Sequence, residues 1–252
     1  MITLTICCTY FKSLGLANLD AALYSVRQQD LSRVHELVLV DNDTADRQQA
    51  ILDRVAAHAF PMPARVYSFK HGDPMRTHSW SSNVAVRASA TPWILMTRAD
   101  YLLDREFLRR CVAVAADKPD DWDGFVTSNG CHLAADIAHC EAADWRRCGP
   151  GVMRGTHFDY TATDAGVWMA RRSAFDRVGG LDESLTAWGH AQTDFQYRLH
   201  ATGTEFVRIP QTMFWHPWHA APRDLALAHA QLRAKGIEPR TLWARHEGGS
   251  PY

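Results

Sequence analysis

Four short apolar, β-branched runs alternate with stretches of helical period along residues 1–100, and this alternation constrains the fold more than any other feature. Ile2 to Cys8, His35 to Val40, Ala64 to Phe69 and Trp93 to Met96 read as buried strands. Between them, Leu16 to Gln29 puts Leu16, Leu19, Ala22, Leu23 and Val26 on one helical face. Arg47 to Ala59 and Ser79 to Ser89 read as the next two helices, the former stopped by Pro61 and Pro63. Such an order predicts an α/β protein: a Rossmann-type α/β/α sandwich on a mostly parallel central sheet. Ligands of these sheets sit beyond the carboxyl ends of the strands. The polar residues there become the first functional candidates: Thr9 and Tyr10, the turn cluster Asp41 to Asp43, and Arg98 to Asp100.

Asp104 is placed to cap a helix running to about Ala116. From Lys118 to about Thr163 the periodicity fails and Pro, Gly, Trp, His and Cys recur, which predicts a long irregular binding stretch. Strand character returns at Ala165 to Ala170 and Phe206 to Ile209. Helices are expected over Ser173 to Val178, closed by Gly179-Gly180, over His190 to Thr202, ended by Gly203, and over Asp224 to Lys235. No internal repeat or linker interrupts the chain. It is read as one domain over 1–252, with a ligand-binding part at 1–117, a catalytic and second-substrate part at 118–222, and a terminal helix and tail at 223–252.

Composition removes several function classes. A formal net charge of −1 supplies no field to hold nucleic acid, so no nucleic-acid partner is expected. No run approaches the ~20 apolar residues of a membrane span, so no transmembrane segment is expected. The chain opens Met-Ile-Thr-Leu-Thr-Ile-Cys-Cys without a basic leader, and a cytoplasmic location is expected. Cys7, Cys8 and Cys111 fall in predicted core elements. Cys131, His132, His139, Cys140 and Cys148 are spaced too widely for the usual zinc pairs and read as unligated.

Taken together, these segments resemble glycosyltransferase family 2 and its GT-A-type relatives, from the first strand to about His219. The opening strand ends in Thr9-Tyr10, with Cys8 where the family usually has proline. Val38 to Thr44 resembles the second strand and its acidic turn, and Ser82-Asn83-Val84-Ala85 an Arg-Asn-x-Gly segment. Pro92 to Asp100 resembles the strand leading into the Asp-x-Asp metal motif, with Arg98 as its first member. Most specific are Val178-Gly179-Gly180-Leu181-Asp182-Glu183 and the helix start at Trp188-Gly189-His190-Ala191-Gln192-Thr193-Asp194. Phe214 to His219 resembles the strand that supplies a histidine near the metal.

The resemblance implies a hexosyltransferase-like enzyme that moves a sugar, with inversion, from a nucleoside diphosphate sugar to the hydroxyl or amine of an unidentified, soluble acceptor. It assigns Thr9, Tyr10, Asp41, Asn83, Arg98 and Asp100 to donor binding, Asp41 by accepting from a ring N–H of the base. Asp100 and His216 are the expected ligands of Mg2+ or Mn2+. Arg98 leaves three readings open: a reduced metal site, direct bonding of the diphosphate by the guanidinium, or a pair with Asp100 that touches no ligand. Ala191 and Gln192 stand where the family carries its Glu-Asp pair, so Asp194 becomes the first candidate base and His190 the second. Trp188 and Gly189 are assigned to the acceptor, with Trp122, Trp145, His157 and Tyr160 as further aromatic candidates. Lys70, Arg76 and His78 read as a solvated basic loop, with contact to phosphates as the alternative. The rival to an enzyme is a degenerate relative that binds a nucleotide sugar or a partner without turnover. A weaker third reading, a nucleotidyltransferase, has only the poor signature loop Phe11 to Gly15.

Overall fold

The computed structural model describes residues 2–10, 15–42, 47–69, 78–133, 166–186, 191–217 and 225–237. The first hundred residues form β1 (Leu4–Tyr10), α1 (Gly15–Arg27), β2 (Val34–Asp41), α2 (Gln48–Ala57), β3 (Ala64–Ser68), α3 (His78–Ala88) and β4 (Trp93–Arg98). There follow β5 (Leu102–Leu103), α4 (Phe107–Ala116), β6 (Phe125–Leu133), β7 (Trp168–Arg171), α5 (Arg172–Arg177), α6 (Ala191–Ala201), β8 (Phe206–Pro217) and α7 (Leu225–Ala234). One sheet runs in the order β3-β2-β1-β4-β7-β6-β8-β5. Strands β1 to β4 are parallel, β6 and β8 point the same way, and β7 and β5 run against them.

Strand alternation sorts the core into two layers. Leu4, Ile6, Leu37, Leu39, Trp93 and Leu95 face α1, α2 and α4, where they meet Leu19, Leu23, Ile51 and Phe107. Cys7, Val38, Val40, Ile94 and Met96 face α3, α5 and α6, where they meet Val86, Phe175 and Phe195. The central strand β1 is buried along its whole length, so its sequence is apolar without alternation. Cys7, Cys8 and Cys111 are free core residues, and burial raises all three thiols well above their usual range.

At the amino ends of the strands a buried polar group stitches the sheet. Glu36 accepts from Thr5 Oγ1 at 3.1 Å and from the Ala90 amide at 2.9 Å, and pairs with Arg65 at 2.5 Å.

Three expectations need correction. The stretch from Lys118 is not irregular throughout: Phe125–Leu133 is a strand, whose Thr-Ser-Asn-Gly interior lacks the apolar signal because its neighbours β7 and β8 supply the packing. The separate strands expected at Phe206 and Phe214 are one, β8, with a register shift opposite Ser128 and Asn129. Asp104 does not open the fourth helix directly. Its side chain accepts from the Glu106 amide at 2.9 Å, and the first helical turn is capped from the turn that follows α1, where Gln29 Oε1 accepts from the Leu108 amide at 3.0 Å.

Candidate active site

Parallel pairing brings the expected strand-end residues together. Thr9 is in register with Arg98, and Tyr10 with Asp41. The Ala99 amide donates to the Thr9 carbonyl at 2.8 Å, and the Phe69 amide to the Asp41 carbonyl at 3.0 Å. Alternation then divides their side chains. Asp41 continues the Leu37–Leu39 face toward Tyr10, whereas Thr9 and Arg98 continue the Cys7 and Met96 face toward α3 and α6. Burial raises the Tyr10 phenol above its ordinary value, with Arg47 opposing and the Asp41 charge adding to the rise.

Arg98 and Asp100 form a forked ion pair at the end of β4. Arg98 Nε donates to Asp100 Oδ1 at 2.9 Å, and Nη2 engages Oδ2. The guanidinium also lies over the Tyr101 ring, 4.7 Å from its centroid. Both residues are nearly enclosed, Arg98 at 7 % and Asp100 at 1 % exposure. A divalent ion needs carboxylate oxygens turned toward it. Here both oxygens of Asp100 are turned to a cation. Among the described residues no group of three or more His, Cys, Asp or Glu could hold a metal ion. His216 lies in β8 opposite His132, and its side chain is outside the described residues. Of the two expected ligands, Asp100 has both oxygens turned to Arg98, and the side chain of His216 is not described.

Next to this pair stands a cluster that sequence reasoning did not assemble. His78, the first residue of α3, has Nδ1 3.4 Å from both Thr9 Oγ1 and Ser82 Oγ. Its Nε2 lies 2.8 Å from Gln192 Nε2, and Gln192 Oε1 accepts from Trp168 Nε1 at 3.1 Å. Burial, then the Arg98 guanidinium, lowers His78 from its usual 6.5 to about 3, with Asp100 pulling the other way. His78 is thus a neutral, partly buried ring and not a member of a solvated basic loop. His78 and Gln192 are 114 residues apart, and no spacing rule links such positions.

Two other expected site residues are occupied elsewhere. Asn83 donates from Nδ2 to the Leu181 carbonyl and to Glu183 Oε1, both at 2.8 Å, and accepts from the Leu181 amide at 2.9 Å. Its side-chain amide is engaged in pinning the Gly-Gly-Leu-Asp-Glu turn to α3. Asp194 is fully buried, pairs with Arg198 at 2.7 Å and Lys235 at 2.5 Å, and lies behind the site. Its oxygens face two cations and tie α6 to the end of α7. Trp122, considered for the acceptor, lies at the amino end of the sheet beside Trp93, with ring centroids 6.0 Å apart. Trp188, Gly189 and His190 lie outside the described residues, as do Lys70, Arg76, Trp145, His157 and Tyr160.

A hollow of about 390 Å³ lies behind α3, lined by Arg87, Asp182, Glu183, Arg198 and Lys235 among others. Each of its cations has a carboxylate partner: Arg87 with Glu183, Arg198 with Asp194, Lys235 with Asp182. It is a charge-balanced recess away from the strand ends.

Among the described residues no helix is long and apolar enough to cross a membrane. No curated protein matches the chain by sequence. Among solved structures the chain is similar to the mannosyltransferase PcManGT from Pyrobaculum calidifontis in complex with GDP-Man and Mn2+, with 16% identity, TM-score 0.63, and coverage of 97% of this chain and 68% of that one. It is similar to S. aureus TarS 1-349 in complex with UDP-GlcNAc at 11% identity and TM-score 0.65, over 88% of this chain and 60% of that one. For GalNAc-T7 with UDP, GalNAc and Mn2+ the figures are 12% identity and TM-score 0.65, over 92% of this chain and 48% of that one. The chain thus spans less than two thirds of the latter two, and at these identities the likeness carries the GT-A fold alone. The family model for the N-terminal domain of galactosyltransferase matches residues 152–219. The family model for glycosyl transferase family 2 matches residues 5–179, well over half of the sequence, and the chain belongs to that family.

Proposed function

We propose that the chain transfers a sugar from a nucleoside diphosphate sugar to an acceptor hydroxyl or amine, and that Arg98 receives the departing diphosphate directly. The observation that carries this is the Arg98–Asp100 fork at the end of β4 in a family 2 fold. A guanidinium bonds phosphate oxygens through two parallel N–H groups and stays charged at every working pH. Asp100 and the Tyr101 face hold it in one orientation before the donor arrives, so little reorganisation is needed as charge develops on the leaving group. No step is routed through Mg2+ or Mn2+. Asp41, with Thr9 and Tyr10, meets the nucleoside in this reading. The acceptor enters through the 118–222 part, with Trp188 and Gly189 as its contacts. Attack comes from the face opposite the diphosphate, which inverts the anomeric centre. With Asp194 closed off by two cations, His190 takes the acceptor's proton.

The donor class is supported by the GDP-Man and UDP-GlcNAc complexes of the similar structures. It is tested by release of nucleoside diphosphate from UDP-glucose, UDP-GlcNAc and GDP-mannose, with and without EDTA. We expect one donor to turn over at an unchanged rate in chelator. Arg98→Ala should lower that rate about a hundredfold. Loss of all activity in EDTA, or full activity of Arg98→Ala, removes the metal-free diphosphate site. A second reading, donor binding without turnover, is favoured by Gln192 standing where the family has a carboxylate. It predicts binding of UDP or GDP with no release from any donor.

A further inference from the structure

The transfer reading leaves the His78–Gln192 contact unused, although it joins the starts of α3 and α6 beside the carboxyl ends of β1 and β4. The direction of its hydrogen bonds is fixed by chemistry. An indole N–H can only donate, so Gln192 must turn its oxygen to Trp168 Nε1 at 3.1 Å. The amide nitrogen then faces His78 Nε2 at 2.8 Å and brings hydrogens to it. Nε2 must offer its lone pair, and the imidazole proton resides on Nδ1. There it has two hydroxyl acceptors, Thr9 Oγ1 and Ser82 Oγ, each at 3.4 Å. Turning the amide over sets its hydrogens against the indole. Protonating Nε2 sets two donors head to head. Either arrangement leaves buried donors unsatisfied. The anchor of this chain, Trp168, is fully buried and stacked on Phe125 with centroids 5.4 Å apart, so it cannot swing away.

We propose that His78 is a positioning residue of the transfer site, locked by the Trp168–Gln192 pair as the neutral imidazole with its proton on Nδ1. The role rests on the transfer reading; the lock does not. The Nδ1 proton orients the Thr9 hydroxyl, which sits in register with Arg98. The ring, held uncharged, leaves Arg98 as the cation that partners Asp100 and meets the diphosphate. Gln192 thereby has a use at a position where a carboxylate could not serve. A carboxylate there would accept from Trp168 with one oxygen and demand an N–H from His78 with the other, reversing the tautomer.

Proton–nitrogen correlation spectra of the ligand-free chain test the lock. The His78 signals should show a protonated Nδ1 and a bare Nε2, and Gln192→Glu should move the proton to Nε2. Wild-type protein with its proton on Nε2, or a Gln192→Glu protein with the wild-type pattern, overturns the lock. The role is read from nucleoside diphosphate release with whichever of UDP-glucose, UDP-GlcNAc and GDP-mannose is used. His78→Ala and Gln192→Glu should each lower kcat about tenfold or more while the donor KM stays within about twofold. His78→Gln, which restores an acceptor to the Gln192 amide, should recover part of the loss. Unchanged kcat in both variants, or a loss confined to KM, overturns the role. A wild-type chain that turns over none of the three donors sinks the transfer reading and the role with it, and the spectra still decide the lock.

Discussion

Asp182 and Lys235 give the clearest residue-scale case of a charge whose partner is invisible in sequence. Lys235 ties to Asp182 at 2.6 Å and to Asp194 at 2.5 Å, joining the Gly-Gly-Leu-Asp-Glu turn, α6 and the end of α7. Burial pushes the Asp182 carboxyl up, but hydrogen bonds from Lys235 and Ser184 outweigh it and bring the group from 3.8 to about 2. A carboxyl lowered on folding stabilises fully above its unfolded value, and that contribution fades as pH falls toward the folded one. Asp182→Asn should therefore cost about 1 kcal/mol in urea unfolding at about pH 5, discounted because the group is partly solvated, and only a small part of that by about pH 2. An equal cost at both pH values sinks the assignment. Asp194 shows the other side of the same network. Its place near a helix start made it a candidate base in sequence, and its pairing with Arg198 and Lys235 appears only in the packed structure.

Elements were legible where one chain segment suffices to define them. Gly179-Gly180 closes α5 as expected, with the Gly180 amide bonded to the Phe175 carbonyl at 3.0 Å and φ of +72° at Gly180. A Cβ on Gly180 would stand 2.7 Å from Asn83 Oδ1 and 2.8 Å from the Phe175 ring. Both neighbours are packed, so Gly180→Ala should destabilise the chain by about 2 kcal/mol or more, read as a lower urea midpoint at unchanged slope. Ser68, Arg98 and Tyr10 end their strands within a few residues of the positions that the apolar runs predicted. The strands β5 and β6 escaped, because two leucines, or a run interrupted by Asn129-Gly130, carry no periodic signal without their partners. The short 3-10 turn at Leu31–Arg33, held by Asp30 accepting from the Ser32 amide at 3.1 Å, was equally silent.

At the scale of the whole molecule, one sheet draws strands from both the 1–117 and the 118–222 parts, since β5 pairs with β8 and β7 is inserted between β4 and β6. A ligand gripping the strand ends therefore stabilises the sheet as a unit. UDP or GDP at about a hundred times its dissociation constant should add about 2.7 kcal/mol and raise Tm by about 5 °C or more, equally in EDTA. A rise seen only with added Mn2+ restores the metal to the site. By itself the sequence determined the α/β class, the parallel run from β1 to β4, the buried cysteines and the strand ends that carry Thr9, Tyr10, Asp41, Arg98 and Asp100. Those follow from the periods of strand and helix, which neighbouring residues impose locally. Tertiary structure alone decided that Asn83 bonds the Leu181 turn, that Asp194 pairs with Arg198 and Lys235, that Arg98 pairs with Asp100, and that His78 meets Gln192. Hydrogen bonds and ion pairs form between whichever groups the packed layers bring within about 3 Å, and no spacing along the chain encodes that meeting.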